Sequence, residues 1–503
     1  MNKIKSLVVN RWSLVIIIII IASFLRLYNI AELPPGLYPD EAMNGNNALE
    51  ALSPDGQFKW FYPENNGREG LFMNIQALSI ALFGNFPWAL RIVSAIFGIL
   101  TVLGLYLCAK ELINYASTKI NEKAKNNIAL LSSFFLATSF WHINFSRIGF
   151  RAIMAPFFII FTLYFLFRSF NKNYSLGSGI LAGLFFGLGF HSYIAFRGLP
   201  ILILIVFVID WFKNPSRRRG LAKIFIWAVA ISLIVFAPLG YYFIKNPQDF
   251  MGRTSEVSIF SSKTAIKDLA LNIAKTAGMF NFSGDYNWRH NYAGKPELFW
   301  PVGILFLIGI ILGIVKFFTN SEEKKIFGIL FAWILVAALP VVVSNEGIPH
   351  ALRAIIMIPP IFILAGIGGV WLYEKLLTKI RNDTKIRKLL LLSIFYFLLS
   401  LFVFEAYNTY FIKWGQNYNV QGAFSADYVQ IGRELNSSPK ETPKYVIVEA
   451  DGTDVRGIPM PTQTVIFITD TFAPKKQKEK NIFYVLPDKI NKIPQNSYTI
   501  ILR

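Results

Sequence analysis

The sequence predicts an all-α polytopic membrane protein of about eleven transmembrane helices, with a small α/β domain at its carboxy-terminal end. Three observations support this fold class. Of the 503 residues, 54% are hydrophobic and 16% are charged, whereas about a quarter are charged in soluble domains. The apolar residues form runs of about twenty, the length that crosses the hydrocarbon core of a bilayer. The lysines and arginines behind the net charge of +20 collect in short loops between these runs.

The basic loops set the predicted orientation of the chain. Short cytoplasmic loops of membrane proteins carry an excess of Lys and Arg, and this bias indicates which side each loop occupies. With the basic loops inside, the amino terminus is cytoplasmic and the carboxy-terminal domain is extracytoplasmic. Because the positive charge is divided among these loops, we expect no nucleic acid partner. The basic loops lie at 119–125, 168–172, 213–223, 316–325 and 375–388.

Eleven segments are predicted to span the membrane. We interpret the first as an uncleaved span rather than a signal peptide, because no small-residue cleavage site follows it. The apolar run at 70–83 is too short to cross, so we expect it at the membrane interface. Boundaries of this kind carry errors of a few residues. The predicted spans cover 12–30, 87–110, 128–145, 152–170, 176–194, 197–212, 221–243, 298–317, 326–343, 351–374 and 389–407.

We divide the chain into a transmembrane domain, 1–412, and a soluble extracytoplasmic α/β domain, 413–503. The first outer loop, 31–86, belongs to the transmembrane domain and is predicted to be its catalytic loop. Near Gly415 long apolar runs give way to short β-rich runs separated by Pro, Gly and Asn. In the soluble domain we predict a helix at 426–435 and strands at 445–448, 465–468, 482–485 and 498–502.

A proline-rich stretch follows the first predicted span and leads directly to two carboxylates. Pro34, Pro35 and Pro39 cannot continue the helix, because proline lacks an N–H and restricts the residue before it. The chain therefore leaves the membrane and presents Asp40 and Glu41 at its outer face.

Further ionisable residues are predicted at the same face. A charged group at membrane depth is costly unless it is paired or hydrated, so such residues are candidates for function. Taken singly, an arginine at a span end can snorkel to headgroups, a lone histidine can be a packing residue, and a loop glutamate can be solvated. Their convergence on one face favours a site. The residues are Glu64, Arg68, Glu69, Arg91, His142, Arg147, Arg151, His191, Arg197, Asp285, Arg289, His290, Glu346, His350 and Arg353.

The motifs of several enzyme classes are missing from the sequence. It contains no P-loop, no dinucleotide-binding glycine motif, no H-E-x-x-H zinc motif and no G-x-S-x-G elbow. The remaining class consistent with acids and arginines at one membrane face is group transfer from a lipid-linked sugar phosphate. Its phosphate leaving group needs cations to hold its charge, and an acceptor hydroxyl needs a carboxylate base.

The same residues resemble a known family. Pro-Asp-Glu at 39–41 and Pro-Trp-Ala-Leu-Arg-Ile-Val-Ser-Ala at 87–95 look like the GT-C fold protein O-mannosyltransferases and the aminoarabinose transferases of lipid A. The stretches 284–291 and 345–353 resemble bacterial members of this group. The resemblance extends over about residues 10–375. It implies an integral membrane glycosyltransferase that uses a polyprenyl-phosphate-linked sugar donor.

The resemblance also implies roles for individual residues. Asp40 corresponds to the catalytic base, with Glu41 beside it near the acceptor, and Arg91 corresponds to the arginine that binds the donor phosphate. We add Arg353 as a second phosphate-binding candidate. No cofactor is certain. Some relatives hold a divalent metal between the outer carboxylates and a histidine, and others need none. Whether this chain binds a metal is left open, with Glu69 and His290 as candidate ligands.

Several alternatives remain at this point. The stretch Gly67-Arg68-Glu69-Gly70 lacks the His-Pro-Pro form of the eukaryotic mannosyltransferases, which favours an acceptor other than protein. The acceptor, whether protein, lipid or cell-envelope glycan, and the sugar are not specified. The chain could instead be a transporter or a flippase for lipid-linked sugars, although plain spans and the lack of internal symmetry argue against this. A ligase that moves a whole glycan from a lipid diphosphate would use similar residues. The carboxy-terminal domain could bind the acceptor, act as a lid, or only stabilise the protein.

Overall fold

A computed structural model describes residues 11–250, 259, 264–319, 322–345, 347–379 and 385–503 of the chain. Each predicted span contains a helix, and two short helices in the first outer loop complete the first part of the bundle. In this first part the helices are α1 (Arg11–Leu27), α2 (Pro39–Leu52), α3 (Leu71–Phe83), α4 (Pro87–Ala116), α5 (Glu122–Ala137), α6 (Phe140–Arg147), α7 (Met154–Asn171), α8 (Leu176–Gly189), α9 (Pro200–Lys213) and α10 (Arg218–Lys245). They continue with α11 (Ala265–Gly278), α12 (Trp300–Phe318), α13 (Lys324–Val342), α14 (Ile358–Lys379) and α15 (Lys385–Tyr407), after which Asn408–Trp414 forms a π-helical turn.

Within the described residues, seven helical segments are long and apolar enough to cross a bilayer, or eight if the bent pair α5–α6 is one span. The prediction of one continuous span over 128–145 was wrong, because α5 and α6 meet at an angle of 57°. Arg26 of α1 donates hydrogen bonds to the carbonyls of Leu136 and Ala137 at 3.3 and 3.0 Å. These carbonyls lie at the end of α5, where the break leaves them without helical partners.

The predicted span 176–194 is also shorter in the structure, where α8 covers 14 residues. Small residues let α8 pack closely against α10. A Cβ built on Gly183 would lie 2.4 Å from the carbonyl oxygen of Ala228, and one on Gly187 would lie 2.9 Å from that of Ser232. Two glycines four residues apart on one helix face are typical of close helix packing in membranes.

The carboxy-terminal part contains three strands of one parallel sheet. The strand order is β6 (Ile482–Val485), β3 (Lys444–Val448) and β7 (Tyr498–Leu502), so β3 is central. Two short antiparallel pairs lie elsewhere, β1 (Phe61–Tyr62) with β2 (Arg68–Glu69) and β4 (Asp454–Val455) with β5 (Ile458–Pro459). The remaining helices are α16 (Tyr418–Ala423), α17 (Ala426–Ser437), α18 (Gln463–Thr469) and α19 (Pro474–Lys480).

The predicted strand at 465–468 was wrong, since these residues form part of α18. The buried apolar run Val465–Phe467 fits a strand or a helix equally well, because so short a run shows no period. Tertiary contacts decide the outcome. Phe467 packs with Leu37 and Ala42 of the first outer loop, and Thr464 Oγ1 donates a hydrogen bond to the carbonyl of Leu37 at 2.9 Å. The helix therefore rests directly on α2.

A buried polar cluster joins four segments at the end of the bundle that we predict to be cytoplasmic. Asp210 of α9 is fully buried and accepts hydrogen bonds from the hydroxyls of Tyr115 and Tyr174 at 2.7 and 2.6 Å. It also accepts one from Asn214 Nδ2 at 2.7 Å and pairs with Lys325 Nζ at 3.4 Å. The cluster connects α4, the turn before α8, α9 and α13.

We expect Asp210→Ala to destabilise the protein by about 3–5 kcal/mol, because the substitution leaves the largely buried Lys325 without its counter-charge. The measurement is the midpoint of thermal unfolding in detergent. The control is Glu322→Ala, which breaks the exposed Glu322–Lys119 pair and should change the midpoint little. Equal midpoints for the two variants would show that the cluster does not hold these helices together.

Candidate functional site

The site begins at the first turn of α2. Pro39 occupies an early position of the helix, where its missing N–H has no cost, and Asp40 and Glu41 follow in the same turn. Carboxylates in a first turn are favoured by the exposed N–H groups of the helix. Asp40 is half-buried, and its Oδ1 accepts a hydrogen bond from Asn65 Nδ2 at 2.8 Å. Asn65 lies between β1 and β2 with φ of 52°, a conformation that asparagine tolerates.

Glu41 and Arg91 form an ion pair with fully buried side chains. Arg91 Nε donates to Glu41 Oε2 at 3.1 Å and Nη2 donates to Oε1 at 3.3 Å. The same guanidinium donates to the carbonyls of Pro34 and Gly36, both at 2.7 Å. Glu41 Oε2 also accepts the backbone N–H of Gly149 at 2.7 Å. We call this group the Glu41–Arg91 clamp.

The Glu41–Arg91 clamp affects the roles predicted for Arg91, as phosphate ligand, and for Glu41, beside the acceptor. Arg91 has no exposed surface and makes four hydrogen bonds to Glu41, Pro34 and Gly36, so binding a lipid phosphate would require breaking them. Glu41 is likewise enclosed and does not face an acceptor. The structure therefore gives both residues a role in shaping the proline-rich segment, and it leaves Asp40 as the more accessible of the two carboxylates.

Glu69, at the end of β2, is the centre of a second group. Its buried carboxylate pairs with Arg151 Nε at 3.0 Å and with Arg197 Nη2 at 3.2 Å. The neighbouring Arg68 is buried and donates to the side-chain oxygens of Asn44 and Asn47 at 2.6 and 2.5 Å. Burial, followed by the charge of Arg151, lowers the pKa of Arg68 to about 10, so Arg68 stays charged at neutral pH.

The loop between α11 and α12 forms a third group with the segment before α14. Asp285 is buried, and its Oδ2 lies 3.0 Å from His290 Nδ1 and 3.9 Å from His350 Nδ1. The two imidazole rings stack with centroids 4.8 Å apart. Asp285 Oδ2 also accepts the backbone N–H of Ala351 at 2.9 Å. The two candidate metal ligands lie in different groups, since Glu69 pairs with two arginines while His290 pairs with Asp285.

Direct contacts connect the three groups. Gly149 and Arg151, which follow α6, contact Glu41 and Glu69 respectively. Asn144 of α6 donates to the carbonyl of Arg289 at 2.7 Å. The guanidinium of Arg289 lies 4.1 Å from the ring centre of Tyr38, two residues before Asp40. The residues of these three groups thus lie in one connected set of loops.

The other predicted residues border this set. His191 Nε2 lies 3.0 Å from the carbonyl of Val235, and its ring contacts Trp60. Arg353 is half-buried, and its backbone N–H lies 3.4 Å from His350 Nδ1. Glu346 lies outside the described residues.

Known proteins are similar to this chain in one sequence segment and in fold. Residues 71–242 match the family model described as dolichyl-phosphate-mannose-protein mannosyltransferase. The crystal structure of ArnT from Cupriavidus metallidurans bound to undecaprenyl phosphate is similar with a TM-score of 0.54 and 14% identity, over 97% of this chain and 92% of that one. The apo oligosaccharyltransferase of Archaeoglobus fulgidus is similar with a TM-score of 0.54 and 13% identity, over 96% of this chain. The protein has the GT-C fold.

The predicted fold class, a polytopic membrane protein with the GT-C fold, is confirmed by these structures, whereas the family model matches less than half of the chain. The chain spans 66% of the length of the archaeal oligosaccharyltransferase. A further structure of that enzyme, AglB in complex with an inhibitory peptide and a dolichol-phosphate, matches with a TM-score of 0.51 and 13% identity, over 96% of this chain and 70% of that one. No curated protein sequence matches the chain.

Sequence reasoning missed several residues of this GT-C site. Gly149 contributes only its backbone N–H, and Asn65 and Asn144 are uncharged, so neither hydropathy nor charge marks them. Arg456, from the carboxy-terminal part, binds Glu50 through two hydrogen bonds of 2.9 and 3.1 Å and Glu64 at 2.6 Å. An arginine in a polar loop carries no signal in the sequence that it reaches the first outer loop.

We expect Arg91→Ala to lower the free energy of unfolding by about 3–5 kcal/mol, because it leaves the buried carboxylate of Glu41 without its partner. Arg91→Lys should restore only part of this loss, since one ammonium group cannot reproduce the planar fork that contacts Glu41, Pro34 and Gly36. Thermal unfolding in detergent measures both. Arg219→Ala, at an exposed arginine of α10, is the control. An unchanged midpoint for Arg91→Ala would contradict a structural role for the clamp.

Proposed function

We propose that this GT-C protein transfers a sugar from a polyprenyl-phosphate donor to an acceptor hydroxyl at the outer face of the membrane. In this proposal the amino terminus is cytoplasmic, the 413–503 domain is extracytoplasmic, and the acceptor is a protein, a lipid or a cell-envelope glycan. The observation that carries the proposal is the difference between two adjacent carboxylates. Glu41 is enclosed by Arg91 and Gly149, whereas Asp40 is half-buried with one oxygen bound by Asn65.

Asp40 acts as the general base. Its carboxylate takes the proton of the acceptor hydroxyl as the acceptor oxygen attacks the anomeric carbon of the sugar. The bond between that carbon and the phosphate oxygen breaks, and the polyprenyl phosphate leaves with the electron pair. A single displacement of this kind inverts the configuration of the anomeric carbon. Asn65 Nδ2, at 2.8 Å from Asp40 Oδ1, orients the carboxylate.

Arginines of the outer loops bind the departing phosphate. Arg289 contacts the residue before α2, with its guanidinium 4.1 Å from the ring centre of Tyr38. Arg353 lies on the segment before α14. The backbone N–H of Ala351 in that segment binds Asp285, which belongs to the same loop as Arg289. Guanidinium groups suit phosphate because their donors form a planar fork. The ArnT structure bound to undecaprenyl phosphate and the AglB structure with dolichol-phosphate support a lipid phosphate donor.

The carboxy-terminal domain contacts the first outer loop and in this proposal borders the acceptor side of the site. Arg456 joins it to Glu50 and Glu64, and α18 packs on α2. Burial opposes the ionisation of Glu64, but the hydrogen bond and charge of Arg456 outweigh it and lower the pKa of Glu64. The ion pair therefore persists at neutral pH.

The proposed function is tested with purified protein in proteoliposomes and labelled polyprenyl-phosphate monosaccharides, with a mixed pool of acceptors from cell envelopes. The proposal requires the label to leave the lipid and to enter an acceptor. A flippase would move the lipid without cleaving it. A glycan ligase would ignore the monosaccharide donor and use a lipid diphosphate. Either of these results would overturn the proposal.

We expect Asp40→Asn to reduce transfer by at least about a hundredfold, because the amide cannot accept the proton of the acceptor. The unfolding midpoint should stay close to that of the wild type, since Asp40 is outside the clamp. The matched control is Asp427→Asn, which changes an exposed aspartate in the first turn of α17 and should leave transfer unchanged. Full activity of Asp40→Asn would remove Asp40 from the mechanism.

Arg289→Ala should reduce transfer by roughly tenfold or more, because one positive charge beside the leaving phosphate is lost. Arg289→Lys should recover part of the rate, since it keeps the charge without the fork. The control is Arg168→Ala. Arg168 also lies over a tyrosine ring, that of Tyr164, but it is in the last turn of α7, at the end away from Arg151. Equal rates for the Arg289 and Arg168 variants would exclude Arg289 from phosphate binding.

A further inference from the structure

An apolar groove lies between α9 and α10, next to the turn at 214–217 that connects these two helices. Its volume is about 330 Å³, within the range of small-molecule pockets, roughly 300–1,000 Å³. Arg197, just before α9, contacts Glu69 of the candidate site, whereas the groove adjoins the opposite end of the same helix. The groove is therefore separate from the residues proposed for sugar transfer.

One face of each helix lines the groove, and all the lining side chains are apolar. Phe207 and Leu221 are buried at its floor, and the rings of Phe207 and Phe225 meet edge to face with centroids 5.0 Å apart. At the rim, Trp211 and Ile226 expose 40% and 62% of their surface. Both helices are long and apolar enough to cross a bilayer, so the groove opens toward lipid and suits an acyl chain.

A cluster of positive charge lies at the end of the groove beside the connecting turn. The residues from 211 to 248 include no Asp or Glu. Asp210, the nearest acidic residue in sequence, is buried and pairs with Lys325. Among the described residues, no carboxylate lies within ion-pair distance of any cation of the cluster. Arg218 is half-buried and the other cations are exposed. The cluster consists of Lys213, Arg217, Arg218, Arg219 and Lys223.

Arg218 connects this cluster to the groove. Its guanidinium lies 5.3 Å from the ring centre of Trp211, and its Nε donates a hydrogen bond to the carbonyl of Trp211 at 3.1 Å. Leu221 and Phe225 follow Arg218 by three and seven residues, so all three lie on the same side of α10. Arg218 is therefore at the mouth of the groove, between the apolar lining and the remaining cations.

Positive charge at this place is unfavourable for α10 itself. Arg218 and Arg219 lie in the first turn, where the exposed N–H groups already carry partial positive charge, and Arg217 before them provides no side-chain cap. A phosphate beside this turn would accept hydrogen bonds from those N–H groups and would offset the charge of the arginines. Basic clusters next to membrane helices bind the headgroups of anionic lipids in this way.

We propose that the groove between α9 and α10 binds one anionic phospholipid, with an acyl chain over Phe207 and Phe225 and the phosphate at Arg218 and Arg219. An anionic phospholipid joins the two features that this place requires, an apolar chain and a negative headgroup. A second copy of this chain fits less well, because the same face would bring a second set of cations against the first. Binding here is independent of the proposed sugar transfer.

The test measures lipid binding to the full-length protein in detergent by native mass spectrometry. Dioleoyl-phosphatidylglycerol is anionic and dioleoyl-phosphatidylcholine is zwitterionic, and the two lipids have the same chains. We expect the wild type to bind phosphatidylglycerol at least about tenfold more tightly. Arg218→Gln combined with Arg219→Gln should abolish this preference. The double variant should stay folded, because it removes positive charge from the helix end that disfavours it. Equal binding of the two lipids by the wild type would overturn the proposal.

Two further variants distinguish a specific groove from general surface charge. Lys119→Gln combined with Lys123→Gln removes two exposed cations near the start of α5, at the end of the bundle that we also predict to be cytoplasmic, and should keep the preference. Ala222→Trp fills the groove, which Ala222 lines, and should weaken the binding of both lipids. Equal losses of preference in the two double variants, or wild-type binding by Ala222→Trp, would contradict a site in this groove.

A second measurement uses the wild type and does not depend on the folding of the variants. A ligand that binds only the folded protein stabilises it, so phosphatidylglycerol should raise the midpoint of thermal unfolding more than phosphatidylcholine does. Sodium chloride at about 1 M should remove this difference, because it screens exposed charges. Equal midpoints in the two lipids at low salt would overturn the proposal. A homodimer that excludes lipid and that Ala222→Trp dissociates would overturn it as well, because a second copy would then occupy the groove.

Discussion

The position of Asp40 depends on the Glu41–Arg91 clamp. Residues 34–38 make no regular structure, and their course is held because the Arg91 guanidinium binds the carbonyls of Pro34 and Gly36 together with the carboxylate of Glu41. Arg91 lies in the second turn of α4, so the start of α2 is attached to a long membrane-embedded helix. The backbone N–H of Gly149 also donates to Glu41, so the start of α2 is attached to the segment after α6 as well. A buried ion pair is weak evidence for net stability, but it specifies one arrangement, since partial pairing is strongly unfavourable.

The clamp also explains why two adjacent carboxylates have different environments. Successive residues of an α-helix point about 100° apart. When Glu41 faces inward to α4 and the segment after α6, Asp40 must face sideways, toward the turn that carries Asn65. A buried carboxylate that accepts three hydrogen bonds, two of them from a guanidinium, is a poor base. A half-buried carboxylate with one amide donor retains an oxygen for a substrate proton. In the proposed function, the helical geometry thus assigns the structural role to Glu41 and the chemical role to its neighbour Asp40.

The sequence predicted the polytopic helical fold and the positions of its apolar helices, because these follow from hydropathy, which acts over many residues. It did not predict what depends on individual contacts. The break between α5 and α6 is stabilised by Arg26, which is distant in sequence. The run 465–468 becomes helical through its contacts with α2. The motif correctly places Arg91 near the start of α4. No motif indicates that its guanidinium binds the carbonyls of Pro34 and Gly36.

The three groups of ionisable residues lie in series rather than around one centre. Glu69 and its two arginines adjoin the Glu41–Arg91 clamp through the segment from Gly149 to Arg151, whereas Asp285 and its histidines reach α2 through Arg289 and Tyr38. The first connection consists of buried charged hydrogen bonds, and the second is a contact between a guanidinium and an aromatic ring, which is weaker. The contact of the loop between α11 and α12 with the start of α2 is therefore the weaker of the two connections. A donor phosphate that binds Arg289 would compete with Tyr38 for the guanidinium, so donor binding would be coupled to the position of this loop.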